Sequence, residues 1–88
     1  MGGAIADRLR ADGWLVLAAG SADGDVRRPD EARALVERAV AELGGLDLLV
    51  CAAADGFVPK PVDEVTEADW DAAVDVVAKG TFFLAQAA

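Results

Sequence analysis

Acid–base chemistry in this chain would have to run on carboxylates, on Lys60 and Lys79, and on the thiol of Cys51. There is no histidine and no tyrosine, and Ser21 is the only serine. Catalytic arrangements of the Ser-His-Asp or Cys-His type are therefore excluded. Cys51 has no second cysteine for a disulfide and no histidine or CxxC partner for zinc, and its place in an apolar run suits a small buried hydrophobe. A reducing, cytoplasmic setting fits that usage. The stretch around it, LDLLVCAAADG at residues 46–56, is where the sequence invites a ligand. An apolar run of strand length ends there in three alanines. Side chains that small let a flat ligand approach the backbone, and they equally fill a tight helix–sheet contact; the pattern alone leaves both readings open.

The elements that must position these residues follow from periodicity. Residues 3–12, GAIADRLRAD, place Ile5 and Leu9 four apart, a short amphipathic helix closed by Gly13 as a left-handed cap. WLVLAA, Trp14–Ala19, is a continuous apolar run whose length predicts a strand buried on both faces. GSADG, 20–24, is loop. Pro29 suits a first helical position, and Asp30 and Glu31 oppose the positive end of the helix dipole. Ala32, Leu35, Val36, Ala39, Val40 and Leu43 then form one stripe before Gly44-Gly45, which predicts a helix over 29–43. Leu46–Ala53 reads as the second strand. Beyond Pro59 and Pro61, Thr66 opens a third helix with Asp69 as its capping-box partner, running over about 67–87. One side carries Trp70, Val74, Val77, Thr81 and Leu84, and an adjacent side Ala73, Val76, Gly80 and Phe83. Two apolar faces imply a second partner for that helix. Strands separated by helices of this length predict right-handed βαβ units, a parallel sheet and ligand binding at the carboxyl ends of the strands.

Composition bounds what such a unit can do. With 88 residues and 55% hydrophobic content at a mean hydropathy of +0.31, the chain reads as one compact globular unit. A chain of this size buries roughly 60–65% of its unfolded surface, a marginal core. Because 20 of the residues are alanine, the hydrophobic percentage overstates the driving force. A net charge of −8, from 16 acids and 8 bases, argues against nucleic acid and against anionic membrane surfaces. No apolar stretch reaches the length of a membrane span, and MGGAIADRLRADG does not read as a secretory signal.

Five pieces, in order, resemble the short-chain dehydrogenase/reductase family, Rossmann-fold oxidoreductases that use NAD or NADP. Gly2-Gly3-Ala4-Ile5-Ala6 resembles the end of that family's TGxxxGIGxAIA turn and helix, and Asp25-Val26 its adenine-contacting Asp-Val pair. Gly45 to Val50 followed by Cys51-Ala52-Ala53-Ala54 resembles GxLDxLVNNAG. Lys60-Pro61 through Trp70 resembles kPxxexxxexW, and Lys79-Gly80-Thr81-Phe82 resembles NxKGTF. The resemblance implies a partial Rossmann-like three-layer α/β fold with parallel strands Trp14–Ala19 and Leu46–Ala53. It implies one domain over 1–88, truncated at both ends, without the family's first strand and C-terminal catalytic half. It also implies an oxidoreductase parent acting on an alcohol or carbonyl group.

The cofactor-binding positions it implies are Gly2, Ser21, Asp25, Val26, Cys51, Ala52 and Ala53. Asp25 would accept a hydrogen bond from the adenine amino group, and Ala52 and Ala53 would border the adenosine ribose and the nicotinamide half. Cys51 and Ala52 replace the usual asparagines. Of the phosphate turn only Gly2 remains. Between Ala19 and Asp25 the chain compresses what is usually a helix and another strand. Gly20 and Ser21 stand where an acid would select NAD or an arginine NADP, so the preference stays open. The family's catalytic serine and Tyr-x-x-x-Lys pair have no counterpart, and its active-site asparagine falls at Val77, so the isolated chain is expected to be catalytically inactive.

In the family's sheet the absent first strand lies between the two segments retained here. WLVLAA and LDLLVCAA must therefore pair directly or each present an unpaired edge. Buried unsatisfied backbone groups cost roughly 1–3 kcal/mol each, which predicts a marginal monomer or a self-associated species. Two alternatives stand beside the oxidoreductase fragment: a residual nucleotide-binding module without catalysis, and a homo-oligomerisation module using helix 67–87. A phosphoacceptor receiver domain built on Asp47 and the lysines fails, because no strand ends in the required acidic cluster.

Overall fold

The computed structural model describes residues 2–53 and 59–88. Its regular elements are helical. Helix α1 spans Gly2–Ala11 and α2 spans Pro29–Leu43. A 3-10 turn at Val62–Glu64 precedes α3, Glu67–Ala73, which passes through a π-helical stretch, Val74–Lys79, into α4, Gly80–Ala87.

The ends form as their sequences dictate. After α1 the chain passes through Gly13 at φ 94°, and Trp14 N–H donates back to the Leu9 carbonyl at 3.0 Å. Pro29 opens α2, and Gly44, at φ 79°, closes it by donating its N–H to Val40. At α3 the capping box is complete: Asp69 N–H donates to Thr66 Oγ1 at 3.1 Å, and Thr66 N–H donates to the Asp69 carboxylate at 3.0 Å. Lys60 Nζ lies 2.6 Å from the same carboxylate, anchoring the approach to the helix.

The core is a seam between α2 and α4. Ala32, Val36 and Leu84 are buried together, with Val26, Leu35, Leu46, Leu49, Phe83 and Ala87 packed around them. Gly80 is buried in the same seam, where a Cβ would lie 2.8 Å from Val26 Cγ2. The π-helical stretch decides which face of the last helix reaches this seam. A uniform period of 3.6 aligns Trp70, Val74 and Val77 with Leu84, but wider turns change the register between them. Leu84 is therefore buried, while Trp70 is 66% and Val77 52% exposed.

The expected α/β fold, a partial Rossmann-like arrangement in three layers, is not what the chain adopts. Among the described residues there is no strand, and no main-chain hydrogen bond joins Trp14–Ala19 to Leu46–Ala53. The apolar runs were read as strands buried on both faces, yet Leu15 is 76% exposed and Leu48 and Val50 are half-exposed. Hydrophobic content marks side chains that need cover; a ladder needs a backbone neighbour about 4.8 Å away. Neither segment supplies one to the other. Ala54, with the Asp55-Gly56 that follows, lies outside the described residues.

The result is extended in outline. The Cα radius of gyration is 14.6 Å, against about 12 Å for a compact chain of this length. The accessible surface is 6318 Å², against about 4,900 Å² for a folded monomer of 9.0 kDa. Among the described residues no helix is long and apolar enough to cross a membrane.

Replacing glycine by alanine inside a helix ordinarily adds up to about 1 kcal/mol of stability. At Gly80 the sign should reverse, with Gly80→Ala lowering the unfolding free energy by about 1–2 kcal/mol through overpacking against Val26. In a Val26→Ala background the loss should shrink, because the 2.8 Å contact is gone while the Cβ of residue 26, 3.2 Å away, remains. Urea unfolding of the four proteins, followed by circular dichroism, measures both; equal losses in the two backgrounds would refute the close approach.

Candidate functional site

An open cleft of about 940 Å³ lies between the two irregular segments. Residues 14–21, Leu46 and residues 48–53 form its walls, α1 and the apolar face of α2 its floor, and residues 24–27 a further part of its border. The seven positions singled out from the sequence, Gly2, Ser21, Asp25, Val26, Cys51, Ala52 and Ala53, all border it. Trp14 stands in the wall, half-exposed.

At one side, Gly2 and Gly3 in the first turn of α1 face this space. A Cβ on Gly2 would meet the Ala52 methyl at 3.7 Å, and one on Gly3 would meet nothing within 4 Å. The first turn of α1 carries no acidic side chain. The opening N–H groups of a helix have no intrahelical acceptor, so this edge of the cleft is electropositive and small enough for close approach. The alanines thus meet a helix N-terminus and remain exposed at the same time. Cys51 is also exposed, where the apolar run had suggested burial: with no ladder, nothing covers that side of the segment.

The part of the border at residues 24–27 is polar and closely tied. Arg27 Nε donates to both Asp25 oxygens, at 2.9 and 3.2 Å, and Nη2 donates to Oδ2 at 2.8 Å. Arg27 N–H adds a bond to Oδ1 at 3.0 Å. These hydrogen bonds, side-chain first and backbone second, hold the Asp25 carboxyl at about 2, well below its ordinary 3.8. Asp25 N–H donates in turn to Glu31 Oε1 at 3.1 Å, fixing the loop to the first turn of α2. A carboxylate offers roughly four lone-pair sites, and Arg27 takes most of them, so the acceptor role assigned to Asp25 is shared with an arginine that the sequence reading passed over. The Asp-x-Arg spacing was the available signal.

The loop before it closes on itself. Gly20 N–H donates to Asp23 Oδ2 at 2.9 Å, and Arg38 Nη1 donates to Asp23 Oδ1 at 3.1 Å. The Gly20 bond, then Arg38, push the Asp23 carboxyl below its ordinary value. An acid absent from positions 20 and 21 is thus folded back beside them by the turn. The lysines stand apart from the cleft, with Lys60 paired to Asp69. Among the described residues no group of three or more metal donors forms.

The family model described as enoyl-(acyl carrier protein) reductase matches residues 4–88. A protein of Bacillus subtilis named a probable 2,4-dienoyl-CoA reductase is 39% identical over 64 residues, covering 73% of this chain and 25% of that protein. A Mycolicibacterium smegmatis protein named as a short-chain type dehydrogenase/reductase is 39% identical over 64 residues, 73% of this chain and 23% of its own. The 2-dehydro-3-deoxy-D-gluconate 5-dehydrogenase of Escherichia coli is 41% identical over 69 residues, 77% of this chain and 26% of its own. The chain therefore spans about a quarter of the length of these curated relatives. No solved structure matches it significantly.

Because the Asp25 carboxyl is held below its unfolded value, its contribution to stability is complete above about pH 4 and is lost as the pH falls toward 2. The carboxyl carbon shift of Asp25, followed by NMR, should titrate near 2, and Arg27→Ala should return it toward 3.8. An unchanged midpoint in the variant would show that Arg27 is not the cause.

Proposed function

The chain belongs to the short-chain dehydrogenase/reductase family, and we propose that its cleft holds the adenosine and pyrophosphate portion of a nicotinamide dinucleotide. Members of this family generally use NAD or NADP. The observation that carries the reading is the convergence of Gly2, Ser21, Asp25, Val26, Cys51, Ala52 and Ala53 on one cleft, although the strands expected to bring them there are absent. The cleft volume, about 940 Å³, lies within the range of small-molecule sites, about 300–1,000 Å³.

The names of the relatives support a cofactor rather than a substrate. One is named for a dienoyl-CoA and another for a sugar acid, yet each matches this chain at about 40% identity. A segment shared by enzymes named for such different substrates suits a cofactor they use in common better than either substrate. In this arrangement the pyrophosphate lies against the first turn of α1, where the opening N–H groups of a helix favour an anion. The base lies toward Asp25 and Val26, and the alanines permit the ribose to approach the backbone. The bound dinucleotide supplies hydride transfer. This chain has no tyrosine or histidine and no lysine bordering the cleft, so it is proposed to bind without turning over a carbonyl substrate.

A second reading rests on Trp70, Val77 and Phe82, whose exposure on the last helical stretch leaves an apolar face for self-association. Family members often form oligomers, and a like-with-like contact through this stretch would cover it.

Trp14 reports on the first reading. In a Trp70→Phe background, titration with NAD+ should change its emission saturably with a Kd below about 1 mM, and Ala52→Leu should weaken binding at least about tenfold by blocking the approach. A flat response would remove the nucleotide reading. Sedimentation decides the second: Trp70→Asp should shift a self-associating species to monomer, and a wild-type chain monomeric at high concentration would overturn it.

A further inference from the structure

The last helical stretch changes its pitch midway. From Val74 to Lys79 its turns are π-helical, and Gly80 N–H donates to the Asp75 carbonyl, five residues back rather than four. The wider turns take up one residue more than α-helical ones. Relative to α4, α3 is thereby set about 100° from where a uniform helix would put it. Burial follows the displaced face. Asp69, Ala72 and Val76 are half-buried on the side of Leu84, flanked by Ala73 and Asp75, while Trp70, Val74 and Val77 are exposed. A uniform helix would put Trp70, Ala73 and Val77 on the Leu84 side instead. Gly80 pins α4 through its approach to Val26, so the part left to turn is the one before the π-helical stretch.

We infer that Val74–Lys79 is a register switch, by which the chain displays or withdraws the apolar face of Trp70, Val74 and Val77. Each register satisfies what the other gives up. The observed one keeps Asp69 on the inner side beside Lys60, 2.6 Å away, and leaves wider turns and exposed apolar side chains. The other regains α-helical bonds and turns Trp70 and Val77 inward, carrying Asp69 away. The two differ by a whole residue, with no hydrogen-bonded state between them, so α3 passes from one to the other as a unit. Val76 is the link to the rest of the molecule. It borders the cleft as Leu84 does, and it leaves that border when the helix turns. Pressure on Val76 therefore reaches the apolar face. The inference stands apart from what fills the cleft and from whether the face meets a second copy.

Acrylamide quenching of Trp70, in dilute solution and in a Trp14→Phe background that leaves it as the one tryptophan, tests this. In that parent Trp70 should be readily quenched. Val76→Asp, which favours the register that turns residue 76 outward, should lower the quenching constant at least about twofold and move the emission to shorter wavelength. The milder Val76→Gln should do the same to a smaller extent. Val77→Asp, one residue on, should leave Trp70 as accessible as in the parent, so neighbouring substitutions of one kind have different effects. Deleting Ala78 removes the extra residue and lets a uniform helix present the observed face. That variant should keep its helical circular dichroism and its resistance to urea, and in it Val76→Asp should no longer protect Trp70. Trp70 equally quenched in both Val76 variants, protection that survives the deletion, or a deletion that unfolds the helix would each overturn the switch.

Discussion

The contact between α4 and α2 is the constraint on which the rest of the molecule depends. Its buried members are few and small: Ala32, Val36 and Leu84, with Gly80 alongside. Full burial of a valine or leucine contributes about 1.5–3 kcal/mol, so a seam this size has little to spare and its close approach matters. Gly80 makes that approach by having no side chain to hold Val26 away. Val26 stands between Asp25 and Arg27, whose pair forms the polar part of the cleft's border. Packing in the seam and electrostatics at the candidate site are thus connected through one residue, and a displacement of the last helix would be felt at the ion pair.

The two irregular segments show how a chain with few core residues handles its backbone. An unpaired N–H or C=O costs most when it is removed from water. Here Trp14–Ala19 and Leu46–Ala53 border an open cleft, and among the described residues no buried side-chain polar atom lacks a partner. The polar groups stay hydrated, and the cost moves to the apolar side chains, which remain partly wet. That exchange accounts for a surface of 6318 Å², about 1,400 Å² beyond the compact expectation. It also leaves the cleft accessible. A ligand that covered those walls would recover apolar burial and stabilise the form to which it binds, coupling occupancy to folding.

How much of this was legible in the sequence depends on how local each signal was. Helix α2 carries its start in Pro29, its dipole complement in Asp30 and Glu31, its stripe and its glycine stop within one stretch, and it forms over the span that stretch predicts. The Thr66–Asp69 box is equally local. A strand is not a local object. WLVLAA satisfies the composition of a buried strand, but its status depends on a neighbour elsewhere in the chain, and none pairs with it. The π-helical stretch at Val74–Lys79 defeats periodicity differently: the apolar residues are where a helical reading wants them, but wider turns place Trp70 and Val77 away from the seam that holds Leu84. At the site, residue types suggested by family likeness fell together, while the partner of Asp25 required geometry. Arg27 is two residues away, and only the turn between them brings the guanidinium onto the carboxylate.

The distribution of charge gives the cleft a direction. Sixteen acids spread over the chain disfavour any anionic ligand at long range. Against that background the cleft is mostly apolar, with a neutralised ion pair on one part of its border and the first turn of α1 on another. At the helix terminus the opening N–H groups have no intrahelical acceptor, and no carboxylate stands in its first turn. A ligand with one anionic and one planar, uncharged portion therefore has a preferred orientation: the anion against Gly2 and Gly3, the planar portion along the apolar walls toward Val26. The reverse would bring the anion to Asp25 and leave the helix N–H groups to water. An adenosine joined to a pyrophosphate has this polarity. A simple hydrophobe lacks the anion, and an inorganic phosphate lacks the surface that would cover the walls.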